Sequence, residues 1–504
     1  MVTQAGGAVG ERARVRAESL PLRRIAQLLL TVLALALVAR AIYYVWMVLP
    51  VLIWPHEATG GEGTMLYEAT LIGNNPLGGL RALYGAQPTD AFIAGNYPPI
   101  YLILWALDPG ASSFITGRAL SLLWGIIAAI AGGVAVFGAL RGHATRQQRI
   151  VAGALGGAAF ICTVPVFQQI SIAKPDMTAL GLAAVGLACF ENARGRRGIV
   201  LAGTFFGLAL LTKQSIGFAL AAAFVASLRR GPKEALTLFL TTGAVGAVGI
   251  GSLYFLAGPT VFDHLITYNL RPWRQDRFES LNRKFLALHW LILLPALAYA
   301  FWGIVKRGRS ALTYYPIIAL LVIYTIGSEG GARNYYIELC LAAGLGAALA
   351  LLTLALARPR WMLTLGTIAF LLVAIYAFRT YTVLIAGAYV PAPPVVEGGE
   401  RNRLLALADA SPDPILSDDV SYLAMRGRPA VIDDAFLAII LRQKGLWTTE
   451  AIAANVRAKA YPLVLTGLYR TDQELRYGWG DEVVDALYAN YDRVGQEGFV
   501  PKKP

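Results

Sequence analysis

Cysteine is nearly missing from this chain: Cys162, Cys189 and Cys340 are the only three in 504 residues. All three lie in apolar segments without paired spacing, which excludes a disulfide framework and a thiolate zinc site and leaves them as packing residues. Charge is scarce too, at 15% of residues against 56% hydrophobic, and that excludes an ordinary soluble domain with a solvated surface. Acid is the rarer sign, with 31 acidic residues against 44 basic for a net charge of +13. On a soluble protein such an excess would suggest a polyanionic partner. Here the basic residues gather in short loops between apolar runs, "RGHATRQQR", "ENARGRRG", "RRGPKE", "KRGRS" and "RPR", so the charge reports membrane orientation and not nucleic acid.

What the chain has in abundance is apolar windows of roughly 17–25 residues, the length a helix needs to cross a bilayer. The fold class this implies is an all-α polytopic membrane protein. Residues 1–24 carry "ERARVRAESLPLRR" and precede a long apolar run without a small-residue cleavage site, which reads as a cytoplasmic segment before a retained helix. Spans are expected near 25–54, 114–140, 150–169, 171–190, 235–257, 284–305, 311–327, 335–356 and 361–387. The 199–228 stretch, broken by "TKQS", reads as two short helices. About eleven transmembrane helices result, with every basic loop on one side. The opposite side receives the loop 55–96, the loop 258–283, "SEGGARN" and the tail. After the Pro/Gly linker "VPAPPVVEGGE" the composition changes, and residues 391–504 suffice for a small extracytoplasmic α/β domain. That tail has no dinucleotide fingerprint or phosphate loop, and no internal repeat argues for an inverted-repeat transporter.

The first outer loop concentrates the scarce acids. "WPHEATGGEGTMLYEATLIGNN" places His56, Glu57, Glu62 and Glu68 just beyond the first span, with Met65, Ala69 and Ile72 at helical spacing. This predicts a short amphipathic helix at the interface, with Glu62 at its start as a cap favoured by the macrodipole. The other reading is chemical: a carboxylate partly buried at the bilayer edge has its pKa raised towards the range useful to a general base. "GNYPPIYLILWAL" opens on Tyr97 and is too short to span comfortably. Asp176 in "IAKPDMTALGLA" caps a helix or points into a site beside Lys174. Arg333 in "SEGGARNYYIELC", beside Tyr335 at the mouth of the tenth span, and Arg118 in "TGRALSLLWG" either bind phosphate or snorkel to headgroups. Lys213 is too costly to expose to lipid and belongs at a helix tip or in a cavity. In "YNLRPWRQDRFES", Trp273 could meet a sugar ring and Arg274 a phosphate, or both are interfacial residues.

Taken together, "EGTMLYEATLIGNNPLGGLRALYG", "YPPIYLIL", "TGRALSLLWGIIAAI", "KPDMTALGLA", "LAGTFFGLALLTKQS" and "RNYYIEL" resemble the GT-C superfamily of membrane glycosyltransferases. The likeness is nearest to its bacterial branch of aminoarabinose and protein O-mannosyltransferase-like enzymes, and spans residues 25–345. It implies a multi-pass catalytic module over residues 25–390, a polyprenyl-phosphate-sugar donor and a water-exposed site at the outer face of the plasma membrane. Carried over residue by residue, Glu62 falls on the first-loop catalytic acid, Asp176 on the acid opening the fourth span, Arg118 on a basic residue of the second and Lys213 on the Lys of the "TK" hairpin. Relatives carry an Asp-Glu pair where this chain has "GEG", so the second acid is absent or supplied by Glu57.

The resulting expectation is an inverting glycosyltransferase whose catalytic acids are Glu62, Asp176 and Glu57. Arg118, Lys174, Lys213, Trp273, Arg274, Arg333, Tyr335 and Tyr97 are its substrate-binding residues, with membrane lipid around it and an acceptor that is a lipid, glycan or protein. No cofactor is required by the pattern, although Glu57, Glu62 and His56 could hold a divalent cation. The competing reading is a transporter or flippase of a lipid-linked substrate, which needs polar groups at the membrane centre. A third, in which the tail carries the activity and the helices only anchor it, needs far fewer spans.

Overall fold

The structure is a computed structural model that describes residues 5–85, 87–108, 112–357, 360–385, 395–467, 471–494 and 498–503. It is mainly helical, and among the described residues six helices are long and apolar enough to cross a membrane: Arg24–Leu52, Ile115–Ala139, Pro232–Ala257, Gln275–Val305, Arg333–Leu356 and Trp361–Val383. The protein is therefore a multi-pass membrane protein. Between these lie shorter apolar helices, Arg146–Ile161, Pro175–Asn192, Arg196–Leu210, Phe218–Arg230 and Ala311–Ala319. The expected break in the 199–228 stretch falls between Leu210 and Phe218, at "TKQS".

Helices that are hydrophobic all round must face either protein or lipid on every side. Ile337–Leu356 takes the first course, with nearly every residue buried at the centre of the bundle. Pro232–Ala257 takes the second, most of its surface lying outside the protein. Between Ile115–Ala139 and Arg146–Ile161 the backbones come close enough that small residues are obligatory: a Cβ on Gly157 would lie 2.4 Å from the Ala129 carbonyl oxygen.

The helix ends sort the polar groups into two sets. Arg118 sits in the first turn of Ile115–Ala139 and Asp176 in the first turn of Pro175–Asn192, whose N1 proline supplies the right φ without losing a helical hydrogen bond. At the other end of the bundle the basic loops converge: Arg230 Nε donates to the Arg309 carbonyl at 2.8 Å, and the Ala311 amide donates to Glu191 Oε1 at 2.6 Å.

The C-terminal segment holds the small sheet, made of β1 (Ile415–Ser417), β2 (Leu463–Leu465), β3 (Tyr491–Val494) and β4 (Gly498–Pro501). Their order is β1-β2-β4-β3, the first pair parallel and the others antiparallel. This segment is built into the loop 55–96. The Phe92 amide donates to Val431 O at 2.7 Å, the Asp433 amide returns to Phe92 O at 2.9 Å, and Phe92 and Ala94 share a core with Leu416, Ile432 and Trp447.

That docking corrects one expectation. The helix Glu62–Asn74 does form, but it does not lie half-exposed at an interface: residues 62–69 and Ile72 are all buried. Its outward side is covered by the tail, with Thr64 Oγ1 donating to Asp433 O at 2.7 Å and the Ala430 amide to the Tyr67 hydroxyl at 3.1 Å.

Candidate functional site

Glu62 and Arg118 meet first. Arg118 Nε and Nη2 donate to Glu62 Oε1 and Oε2 at 3.0 and 2.8 Å, a bidentate fork on a carboxylate with no solvent exposure. The remaining guanidinium protons go to the carbonyls of Val51, Trp54 and His56 at 2.8, 2.6 and 2.6 Å. The carboxylate also accepts the Ala173 amide at 2.7 Å and the Ala58 amide at 2.6 Å. Both oxygens of Glu62 are thus engaged twice over, and they tie the first span's end, the first loop and the start of Pro175–Asn192 into one knot. Neither sequence reading of Glu62 matches this geometry. The side chain caps no amide of its own helix, and both its oxygens are already committed to Arg118 and to the Ala58 and Ala173 amides. Arg118 likewise faces Glu62 and backbone, not headgroups or a phosphate.

Glu57 is different. It accepts the Glu62 amide at 2.9 Å, and burial, with the Asp419 carboxylate next, pushes its carboxyl up to about 8 against the opposing pull of Lys174. The Lys174 ammonium passes over Gly61, whose φ of +92 suits glycine; a Cβ there would be 3.7 Å from Nζ.

A second group forms around Asp176. Lys213 Nζ reaches its Oδ1 at 2.6 Å and Asn334 Nδ2 the same oxygen at 2.7 Å, while Oδ2 is buried without a partner. Lys213 lies between two aromatic faces, 5.2 Å from the Tyr97 ring centre and 5.4 Å from that of Tyr335. Burial alone would lower its pKa, but Asp176 and the two phenols outweigh that and hold it raised, so Lys213 is a fixed cation.

The remaining candidates lie apart. Arg333 turns away from its neighbour Asn334, donates to Gln168 Oε1 at 3.1 Å and lines a small pocket with Lys284 and Phe285. Trp273 is stacked on Tyr324 with its indole donating to the Tyr324 carbonyl, and Arg274 is half-exposed and paired with Asp276 at 3.1 Å. The loop's contribution comes instead from Arg271, which lies over the Phe436 ring at 5.4 Å, presses on Gly330 and bears electrostatically on both Tyr97 and Asp434.

Three residues of the site were not singled out by sequence reasoning: Arg271, Asp419 and Asp434. The acids had a signal, since "SDD" and "IDD" place paired aspartates in otherwise apolar runs. Arg271 had none that separates it from Arg274 and Arg277. Asp434 is raised by burial and pulled down by Arg271 and Lys174, which makes it the link between the two groups. The result is one array running from Asp419 and Glu57 through Lys174, Asp434, Arg271 and Tyr97 to Lys213 and Asp176. Beside it Glu68 and Asp433 are buried, and burial holds Glu68 well above the usual carboxylate range. Among the described residues no three His, Cys, Asp or Glu side chains are grouped as a metal ion would need.

No protein-family model matches the chain, and no curated protein matches it. Solved structures do. The chain is similar to ArnT from Cupriavidus metallidurans in the apo state, with a TM-score of 0.58 at 14% identity over 93% of this chain and 97% of that one. Against ArnT bound to undecaprenyl phosphate the TM-score is 0.60 at 15% identity, with the same coverage. The archaeal oligosaccharyltransferase AglB from Archaeoglobus fulgidus, in complex with an inhibitory peptide and a dolichol-phosphate, gives 0.55 at 12% identity over 93% of this chain and 74% of that one. Both neighbours are GT-C glycosyltransferases, and the chain has the GT-C fold that its helices and loops resemble.

Proposed function

We propose that this protein is an integral-membrane glycosyltransferase that moves a sugar from a polyprenyl-phosphate donor to a lipid, glycan or protein acceptor at the outer face of the plasma membrane. The observation that carries the reading is the array itself. Acids of raised pKa and fixed cations stand together at one end of the bundle, the end opposite the basic loops. The two structural neighbours bind undecaprenyl phosphate and dolichol-phosphate respectively, which supports a lipid-linked donor.

In this account the acceptor oxygen attacks the anomeric carbon as the bond to the lipid phosphate breaks, with inversion. Glu57 takes the acceptor's proton. Lys213, Lys174 and Arg271 balance the charge arriving on the phosphate, in an environment where fixed cations need no reorganisation. Asp176 holds Lys213 in place, and Glu62 holds the Arg118 knot on which Glu57 is mounted. Asp419 and Asp434 bring the tail into the site. The same reading carries eleven crossings, a cytoplasmic N-terminus, a catalytic module over residues 25–390 and an extracytoplasmic domain over 391–504.

The test is to incubate the protein in vesicles of host membrane, which supply both the polyprenyl-phosphate sugars and the acceptor, and to follow the sugar lipids by lipid mass spectrometry. A transferase converts them to free polyprenyl phosphate, whereas a flippase moves them between vesicle leaflets and leaves them intact.

A further inference from the structure

The largest polar cavity among the pockets described lies at the other end of the bundle. It measures about 650 Å³ and is lined by Arg230, Lys306, Arg309, His143 and Glu191. Glu191 is spent within the protein: it accepts Ser310 Oγ at 3.0 Å and the Ala311 amide, and pairs with Arg230 at 3.4 Å. Lys306 and Arg309 face the cavity with no acidic partner among the described residues. Lys306 instead lies 5.0 Å over the Trp302 ring.

This cavity is not closed on the membrane side. Tyr299, Trp302, Thr353 and Met362 line it and also line a second pocket of about 330 Å³, an almost wholly apolar groove between Gln275–Val305, Ile337–Leu356 and Arg360–Ile385. Trp302 and Trp361 flank the junction and are 42% and 58% exposed. Exposed tryptophans at that level mark the boundary between hydrocarbon and headgroups. A cationic chamber thus opens at headgroup depth into a hydrocarbon-lined slot, and each volume lies in the range of ligand pockets, about 300–1,000 Å³.

We infer that this is a binding site for an anionic phospholipid, its phosphate held by Lys306 and Arg309 and one acyl chain lying in the groove along Ala298, Leu365 and Leu372. By the positive-inside rule it belongs to the cytoplasmic leaflet, remote from the array of Glu57 and Lys213. Charge and shape select the occupant together. A zwitterionic lipid satisfies the groove but leaves the two cations unbalanced, and inorganic phosphate satisfies the cations but leaves the groove empty.

The experiment is native mass spectrometry of the full chain exchanged into detergent containing equal phosphatidylglycerol and phosphatidylcholine, with inorganic phosphate as a separate probe. The wild-type protein retains phosphatidylglycerol in preference by about tenfold or more. Lys306→Glu with Arg309→Glu brings the ratio to that of phosphatidylcholine. Ala298→Trp, at an exposed position that changes no charge, fills the groove and lowers retention of phosphatidylglycerol while leaving the thermal midpoint unchanged. The inference is overturned if wild type shows no preference, if inorganic phosphate binds where the lipid does not, or if Ala298→Trp leaves retention intact.

Discussion

Glu62 and Arg118, 56 residues apart, form a bidentate pair with neither side chain exposed, and each spends its remaining hydrogen-bonding capacity on backbone from the first loop, the first span or Ala173. Removing one partner of such a pair leaves a buried charge uncompensated, at a cost of about 3–5 kcal/mol. Glu62→Gln and Arg118→Met are therefore expected to lower the thermal midpoint in detergent. The double variant Glu62→Gln/Arg118→Met should recover part of the loss, since no charge is then stranded. A Glu62→Gln protein as stable as wild type would contradict the structural role.

Glu57 gives the pH dependence. With its carboxyl raised from 4.5 to about 8 by burial and Asp419, it is protonated in the folded protein at neutral pH and becomes a base as the pH rises. Turnover should climb through about pH 8, and the limb should vanish in Glu57→Gln. Stability runs the opposite way. A carboxyl whose folded pKa is raised favours the fold fully below about 4.5 and loses that contribution as the pH rises to 8, so the thermal midpoint should fall over that window.

Lys213 is the cation most firmly fixed in the site. Lys213→Ala removes charge-assisted bonds worth about 1.5–3 kcal/mol each, so affinity for undecaprenyl phosphate should fall by roughly 10- to 150-fold in a titration followed by native mass spectrometry. Arg274→Ala, on the surface, should leave it unchanged.

The tail is held by close backbone approach. A Cβ on Gly63 would lie 2.8 Å from Ser421 Cβ and 2.9 Å from its Cα. Gly63→Val is expected to cost about 1–3 kcal/mol of overpacking and to open the contact beside Asp419, seen as faster proteolysis between residues 411 and 435.

Some of this was legible in the chain. Helices, breaks and basic loops follow from apolar run length and from where Lys and Arg can be solvated. Lys213 stood out because an ionisable group in an apolar stretch is costly without a partner, and Asp176 because it opens an apolar helix. The choice between Glu57 and Glu62 was not legible, since it depends on which lone pairs are already filled by Arg118, Ala173 and Ala58, groups brought in from three separate segments. Arg271 and Arg274 are equivalent in sequence and are separated only by the direction in which the loop leaves Leu270. The burial of Glu62–Asn74 was hidden for a similar reason: the tail that covers it lies some 350 residues away, as in the 363-residue separation of Tyr67 and Ala430.

The most direct test of the account is donor turnover by Glu57→Gln set beside its thermal midpoint. Loss of a catalytic base predicts a fall of about a hundredfold or more in kcat with the midpoint no lower than wild type. Undiminished turnover in Glu57→Gln, with the pH limb near 8 still present, would contradict it.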